Sequence, residues 1–217
     1  GFLLSSAPEL ARFTIALMTS GQPDMAWGIS PSVVKRMTTG AVAHPGGSGI
    51  DSAMYGYGLV VGSTTLFGKR ERVWSHGGAI NGYTSDVYML PDRMTSVVVL
   101  VNGPGGAIPG IRIKALELVT GVTPKGRPTD TVRELTAAER AELVGKYAMG
   151  RTVLELKEEN GKLMLVQNGI SLPLMRSGDR ELLGAAPGQG AVRLYTRVEN
   201  GRATYLYSGS RALARQP

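Results

Sequence analysis

Between Met54 and Gly103, short apolar runs follow one another too closely to be helices, and this constrains the fold more than any other feature. The runs are "MYGYGLVVGS", "ERVWSHG", "TSDVYMLP" and "TSVVVLVNG", separated by turn signals at Gly68-Lys69, Asn81-Gly82 and Pro91-Asp92. In the first, Tyr55, Tyr57, Leu59 and Val61 alternate with glycine and small residues, the period of two expected of a strand. Four successive strands of an antiparallel meander are predicted. Residues 97–101 are apolar at both parities, which predicts a central strand covered on both faces.

Helical signals flank the meander. "SSAPELARFTIALMTSG" has Ser6 as N-cap, Pro8 near the first helical position, Glu9 in the first turn, Leu10, Phe13 and Leu17 on one side, and Gly21 as the stop. "SPSVVKRMTTG" predicts a short helix capped at Ser30 and ended by Gly40, followed by a Gly-rich loop at 43–52. After the strands, "AIPGIRIKALELVTG" predicts a helix with Ile111, Ala115, Leu118 and Val119 facing inward and Gly121 as its stop. Helix, sheet, helix is an α+β layout, an antiparallel sheet flanked by helices.

"VTPKGRPTDTVREL" has two prolines, a glycine and mixed charge without apolar periodicity, so it reads as a linker. The expected division is a domain over 1–121, a linker over 122–134 and a second domain over 135–217. That second part opens with a short helix at "TAAERAELVGKY". Both "TVLELKEENGKLMLVQNG" and "AVRLYTRVENGRATYLYSG" then place Asn-Gly between alternating runs, a strong hairpin signal. A small, mostly antiparallel β domain is expected, as a barrel or curved sheet.

The formal charge of +7 raises the question of nucleic acid. Residues 1–121 carry 9 basic against 7 acidic side chains and residues 122–217 carry 15 against 10, with no basic run interleaved with aromatics, which argues against nucleic acid as a partner. The absence of cysteine excludes a disulfide framework and thiolate chemistry but fits either redox compartment. No apolar stretch approaches the roughly 18 residues of a membrane span, and no signal-peptide pattern opens the chain. Because "GFLLSSAPELARF" starts with Gly1 and reads as the interior of a domain, a fragment or processed piece is expected.

Metal binding finds no support: His44 and His76 stand 32 positions apart, cysteine is absent, and neither His-x-His nor His-Glu-x-x-His spacing occurs. The stretch "SVVVLVNGPGGAIPGIRIKALELV" has the strand, Gly-rich loop and helix order of a dinucleotide site. Its glycines do not fit, because Ile108 falls where the third belongs and Pro109 interrupts the helix start that would hold a phosphate. No cofactor is therefore expected.

Gly-x-Ser-x-Gly is absent, since Gly46-Gly47-Ser48-Gly49 runs into Ile50. Ser-x-x-Lys occurs once, as Ser32-Val33-Val34-Lys35, where a helix would bring the amine one turn from the hydroxyl. Arg36 beside it points instead to a solvated face. In "VWSHGGAINGYTSDVYML", His76 precedes Gly77 and Gly78, which remove side chains where another group could approach the backbone. A bared strand edge beside one hydrogen-bonding side chain can hold an acyl substrate and stabilise an oxyanion. A glycine bulge with a surface histidine explains the same residues equally well.

Taken together, "GFLLSSAPELARFTIALMTSG", "YGYGLVVG" and "VWSHGGAINGYTSDVYMLPDRMTSVVVLVNG" resemble the C-terminal half of the penicillin-recognising serine hydrolases over about residues 1–121. The branch it is most similar to holds class C β-lactamases, D-alanyl-D-alanine carboxypeptidases, D-aminopeptidases and related esterases. That family joins Ser-x-x-Lys, Tyr-x-Asn or Tyr-x-Ser, and a strand motif Lys/His-Thr/Ser/Gly-Gly in one cleft. The third is matched by His76, Gly77 and Gly78, with the N–H of Ala79 where the family places an oxyanion donor. Ser32 and Lys35 fall in the wrong order for the nucleophile motif, so the resemblance marks them as a decoy. The second domain is similar to the lipocalin-like β domain appended to many of these hydrolases.

The resemblance implies part of a serine hydrolase acting through an acyl-enzyme on a small-molecule or peptide substrate. His76 would be catalytic, Gly77, Gly78 and Ala79 substrate-binding, and the nucleophile would come from the missing N-terminal portion of the same domain, so this chain alone would be inactive. A periplasmic or secreted location follows from the same resemblance. The alternative is a non-catalytic β-lactamase-like binding or assembly module. Histidine where a penicillin-binding lysine could stand shifts the expectation towards D-peptides or esters, because imidazole is neutral near pH 7 unless its surroundings raise its pKa.

Overall fold

The computed structural model describes residues 3–20, 29–44, 50–80, 82–103, 105–124, 132–167, 169–186, 190–209 and 211–217, with the side chains at 51, 185, 186, 190 and 191 excepted. The chain forms two compact units, Gly1–Arg127 and Pro128–Pro217. Gly21, residues 45–49 of the Gly-rich loop, Asn81, Pro104 and residues 125–131 of the expected linker lie outside the described residues.

The first unit is an antiparallel sheet with helices. Helix α1 (Ala7–Met18) begins with a full capping box: the Ser6 side chain accepts from Glu9 N–H while the Glu9 carboxylate accepts from Ser6 N–H at 2.9 Å. Its buried face is Thr14, Ala16 and Leu17. Phe13, expected inside, is 47% exposed. Thr14 takes the inward place because its hydroxyl is satisfied there, by Ala11 O and by Ser96 Oγ, each at 2.7 Å. Helix α2 (Pro31–Met37) starts at the Ser30 cap as predicted.

Six strands follow: β1 (Val42–Ala43), β2 (Asp51–Tyr55), β3 (Val60–Thr64), β4 (Glu71–Ile80), β5 (Tyr83–Leu90) and β6 (Thr95–Val101), lying side by side in chain order. The first predicted strand is in fact a hairpin, β2 and β3, because the chain turns at Gly56-Tyr57-Gly58 with Gly58 at φ +77°. The placement of 97–101 is also corrected: among the described residues β6 is an edge strand. Its both-sided apolar pattern arises because α1 packs on one face and helix α3 (Ile108–Thr120) on the other.

Two cores result, one per sheet face. Val60, Val73, Tyr88, Leu90, Val97 and Val99 cluster with Ile108 and Leu116 of α3. On the opposite face Leu59, Val61, Trp74 and Met89 cluster with Leu17 of α1 and Val34 of α2. Gly121 ends α3 in the left-handed conformation at φ +67°, as its position predicted. The inward face of α3 differs from expectation: Ile108, Arg112 and Leu116 are buried, whereas Leu118 and Val119 are 72% and 61% exposed. A charged residue can face inward here because Arg112 Nη1 donates to Asp86 Oδ2 at 2.9 Å and the guanidinium stacks 4.8 Å over the Tyr88 ring.

The second unit is a closed antiparallel barrel of eight strands, introduced by helix α4 (Ala137–Leu143). The strands are β7 (Gly145–Met149), β8 (Thr152–Glu159), β9 (Lys162–Gln167), β10 (Ile170–Arg176), β11 (Glu181–Ala186), β12 (Gly190–Glu199), β13 (Arg202–Ser208) and β14 (Arg211–Arg215). Asn160-Gly161 and Asn200-Gly201 form the tight turns predicted for them, all four residues having positive φ. Pairing of β14 with β7 closes the ring and removes its edges. The interior is packed with Leu154, Leu156, Leu163, Leu165, Leu182, Leu194, Leu206 and Leu213, as suits the bore of an eight-stranded barrel.

One end of the barrel is tied by Arg215, which donates to Glu142 O, Val144 O, Ala203 O and Tyr147 Oη. Tyr147 Oη in turn donates to Leu143 O at 2.6 Å, and burial pushes this phenol's pKa up. Helix α4 has its own capping box at Thr136 and Glu139. The Glu139 carboxyl also accepts two hydrogen bonds from Arg133, at 2.7 and 2.8 Å, which with its backbone bonds hold it well below the usual carboxylate range.

Candidate functional site

Strand β4 carries His76, Gly77, Gly78 and Ala79 in its second half. Its first half pairs with β3 from Thr64↔Glu71 to Val60↔Ser75, and β5 joins on the other side from Trp74↔Met89 onward. From His76 to Ile80 the β5 partner continues, ending at Ile80↔Tyr83, but no residue of β3 is opposite. Among the described residues, this stretch therefore has one open edge. In an antiparallel strand alternate residues direct both N–H and C=O to the same side, so an open edge offers donors and acceptors together. All five residues from His76 to Ile80 are solvent-exposed.

The fold does not require the two glycines. Neither has positive φ. A Cβ on Gly77 would meet nothing closer than Ser85 O at 3.6 Å, and one on Gly78 only the Ser85 hydroxyl at 2.6 Å, an atom that can rotate away. The bulge explanation also fails, because the β4 to β5 register runs unbroken through both residues: Gly77↔Asp86 and Gly78↔Ser85. Gly56 and Gly105 differ in kind. A Cβ on Gly56 would lie 2.3 Å from Met37 O, and one on Gly105 2.5 Å from Thr84 Cγ2, so packing accounts for both.

His76 Nε2 is 3.0 Å from Tyr55 Oη. The Tyr55 ring makes an edge contact with His44, centroids 5.9 Å apart and planes at 65°. Both histidines of the chain thus flank one tyrosine, a residue that sequence reasoning missed. Tyr55 had registered only as one of several alternating apolar residues, and its partner is 21 positions away with two strand turns between. Burial, and to a smaller extent the charge His76 would carry, hold the His44 pKa below its ordinary value. Protonation of His44 is thereby disfavoured in the folded chain, and its stability contribution is complete above pH 6.5 and declines as pH falls.

Ser32 and Lys35 sit on the exposed side of α2. The Ser32 hydroxyl pairs with Ser30 Oγ at 2.8 Å, within the helix cap. Nothing in this arrangement activates it as a nucleophile. The open edge of β4, by contrast, joins a hydrogen-bonding imidazole to bare backbone, the equipment for binding an acyl group and a developing oxyanion.

Residues 1–120 match the family model described as Beta-lactamase. Two crystal structures of SurE, one of them with D-Leu, are similar at a TM-score of 0.67 and 20% identity; each match covers 98% of this chain and 50% or 48% of the SurE chain. The octameric penicillin-binding protein homologue from Pyrococcus abyssi matches at a TM-score of 0.49 and 20% identity, over 96% of this chain and 46% of that one. No curated protein matches. The chain spans about half the length of the solved structures it resembles, and at this identity the SurE likeness is one of fold. The β-lactamase match, by itself, takes in more than half of the 217 residues, and with it the chain belongs to the β-lactamase family.

Proposed function

We propose that the chain forms one wall of the cleft of a serine hydrolase that acylates a serine and deacylates with water. In this reading the substrate lies along the open edge of β4, held by the backbone of Gly77, Gly78 and Ala79, with the Ala79 N–H as an oxyanion donor. His76 hydrogen-bonds the substrate's carboxylate or the tetrahedral intermediate. The observation that carries the reading is the pair of glycines on an open edge, where Gly77 has room for a Cβ and Gly78 would need only the Ser85 hydroxyl to rotate away. Glycine inside a strand costs about 0.5–1 kcal/mol relative to alanine, and here no packing demand offsets it.

The nucleophilic serine and its lysine come from the rest of the hydrolase domain, which complements this chain. Strand β6 supports that view, because it is valine-rich yet has a free edge among the described residues, as a strand awaiting a neighbour would. D-Configured peptides or their esters are the proposed substrates. Histidine rather than lysine at position 76 favours them over β-lactams, and the presence of D-Leu in a SurE structure of the same fold is in keeping. The barrel is read as a lipocalin-like appended unit.

The test is His76→Ala in the complete hydrolase. The expected result is a fall in kcat/KM of about a hundredfold on D-peptide esters, the scale of a lost oxyanion contact, while a serine-directed fluorophosphonate still labels the nucleophile. The 217-residue chain alone should take no label. Unchanged kcat and KM on every ester and D-peptide tried would remove His76 from the mechanism, and labelling of the isolated chain at Ser32 would overturn the decoy assignment. A complete protein that neither takes label nor turns over substrate, yet binds D-peptides, would favour the binding module.

A further inference from the structure

Tyr55 opens the stretch "YGYGLVVG" but is part of none of the three cleft motifs, and its surroundings hold it on His76. It is the last residue of β2, opposite Val60. The next residue, Gly56, is clamped against the end of α2: a Cβ there would stand 2.3 Å from Met37 O and 2.9 Å from Thr39 O, and Gly56 N–H donates to Leu59 O at 2.8 Å. The backbone at Tyr55 is thereby fixed. The ring is then met by the edge contact from His44, whose backbone N–H donates to Ala53 O at 2.8 Å. From this seat the phenol reaches His76 Nε2 at 3.0 Å.

The direction of that hydrogen bond decides what His76 can do. In a neutral imidazole one nitrogen carries the proton and the other accepts, and the bond made by one sets the state of the other. A phenol O–H is a stronger acid than an imidazole N–H, and an imidazole lone pair is a stronger base than a phenol oxygen, so O–H to Nε2 is the better pairing. We propose that Tyr55 is a positioning residue for His76: its hydroxyl donates to Nε2, which locks the ring and keeps the proton on Nδ1, where it serves as donor to the substrate's acyl oxygen. The second half of this statement rests on the hydrolase reading above; the first half does not.

The consequence for specificity is a neutral donor beside the open edge. A neutral N–H suits the carbonyl oxygen of an ester or peptide, which gains charge only as the intermediate forms, better than a permanent carboxylate, which a fixed cation would hold. Substrates with an esterified or amidated group near His76 should therefore react faster than those with a free carboxylate there.

The experiment has two arms. Long-range proton–nitrogen NMR of the imidazoles in the 217-residue chain separates the two tautomers, and His44→Gln assigns the two signals. The expected spectrum has neutral His76 protonated on Nδ1, with Tyr55→Phe returning it to the Nε2–H form that an unconstrained imidazole favours. Phenylalanine keeps the ring that packs against the sheet, so the fold should persist. A wild-type His76 already protonated on Nε2, or one unaffected by Tyr55→Phe, overturns the positioning role. In the complete hydrolase, Tyr55→Phe should lower kcat about tenfold with little change in KM, and the loss should largely vanish in a His76→Ala background. If the tautomer responds as expected but neither residue affects turnover, positioning stands and the hydrolase reading fails.

Discussion

Replacing Gly77 with alanine should leave the first unit folded and slightly more stable while removing most of the activity of the complete hydrolase. The two effects have opposite signs because they arise from different neighbours. Inside the fold the new Cβ meets only Ser85 O at 3.6 Å and Asp86 Oδ1 at 3.9 Å, ordinary contacts, and the backbone is one that alanine adopts without strain. Removing glycine from a strand then stabilises by about 0.5–1 kcal/mol through the unfolded chain. Outside the fold the Cβ occupies space beside the open edge that a bound acyl group would use. A displacement of about 1 Å at the reacting carbon is worth about a hundredfold in rate, and that is the loss expected in kcat/KM. Gly78→Ala should behave alike, with a small stability cost from rotating the Ser85 hydroxyl. Tryptophan fluorescence serves for the stability half, because Trp74 is buried in the core of the first unit and residues 128–217 contain no tryptophan. A variant that loses stability in step with activity would mean that the glycine is structural.

The largest stability effect is expected from Asp86→Ala. Asp86 is the β5 residue opposite Gly77, and it holds Arg112 of α3 behind the edge that would bind substrate. Asp86 is 8% exposed and Arg112 5%, so truncating the carboxylate leaves a cation where water cannot readily solvate it. Breaking such a buried pair costs about 3–5 kcal/mol. Replacing both partners by apolar residues, as in Asp86→Leu with Arg112→Met, should recover most of that loss, because the desolvation of two charges disappears along with their attraction. Urea unfolding followed by tryptophan fluorescence measures both variants. A single-site loss below about 1 kcal/mol would show that the pair contributes little to holding α3 on the sheet.

The same ion pair shows where the sequence was legible and where it was not. Strands, caps and turns depend on neighbours in the chain, so the Ser6-Glu9 box, the Gly121 stop and both Asn-Gly hairpins were readable from local residues. The inward face of α3 was not. Ile111, Leu118 and Val119 look like a core stripe, and only knowledge that Asp86 waits across the sheet explains why Arg112 is buried instead. The position of β6 was misjudged for a related reason: helices on both faces give an edge strand the composition of a central one.

At the candidate site, the His-Gly-Gly motif was visible because its elements are consecutive. Tyr55 was not, because its relation to His76 exists only once β2, β3 and β4 are laid side by side. The sequence left a glycine bulge and a bared edge equally plausible. The unbroken β4 to β5 register, together with the end of β3 at Val60, separates them.

Amide hydrogen exchange across β4 in the complete hydrolase, before and after a D-peptide fluorophosphonate phosphonylates its serine with loss of fluoride, reads the open edge directly. The backbone of residues 77–79 is proposed to bind the group carried on the serine, so exchange of the N–H groups there that face the open edge should slow markedly on modification, while Trp74 and Ser75, which pair with both β3 and β5, should change little. Unaltered exchange throughout 77–79 in a fully phosphonylated protein would contradict binding at the open edge.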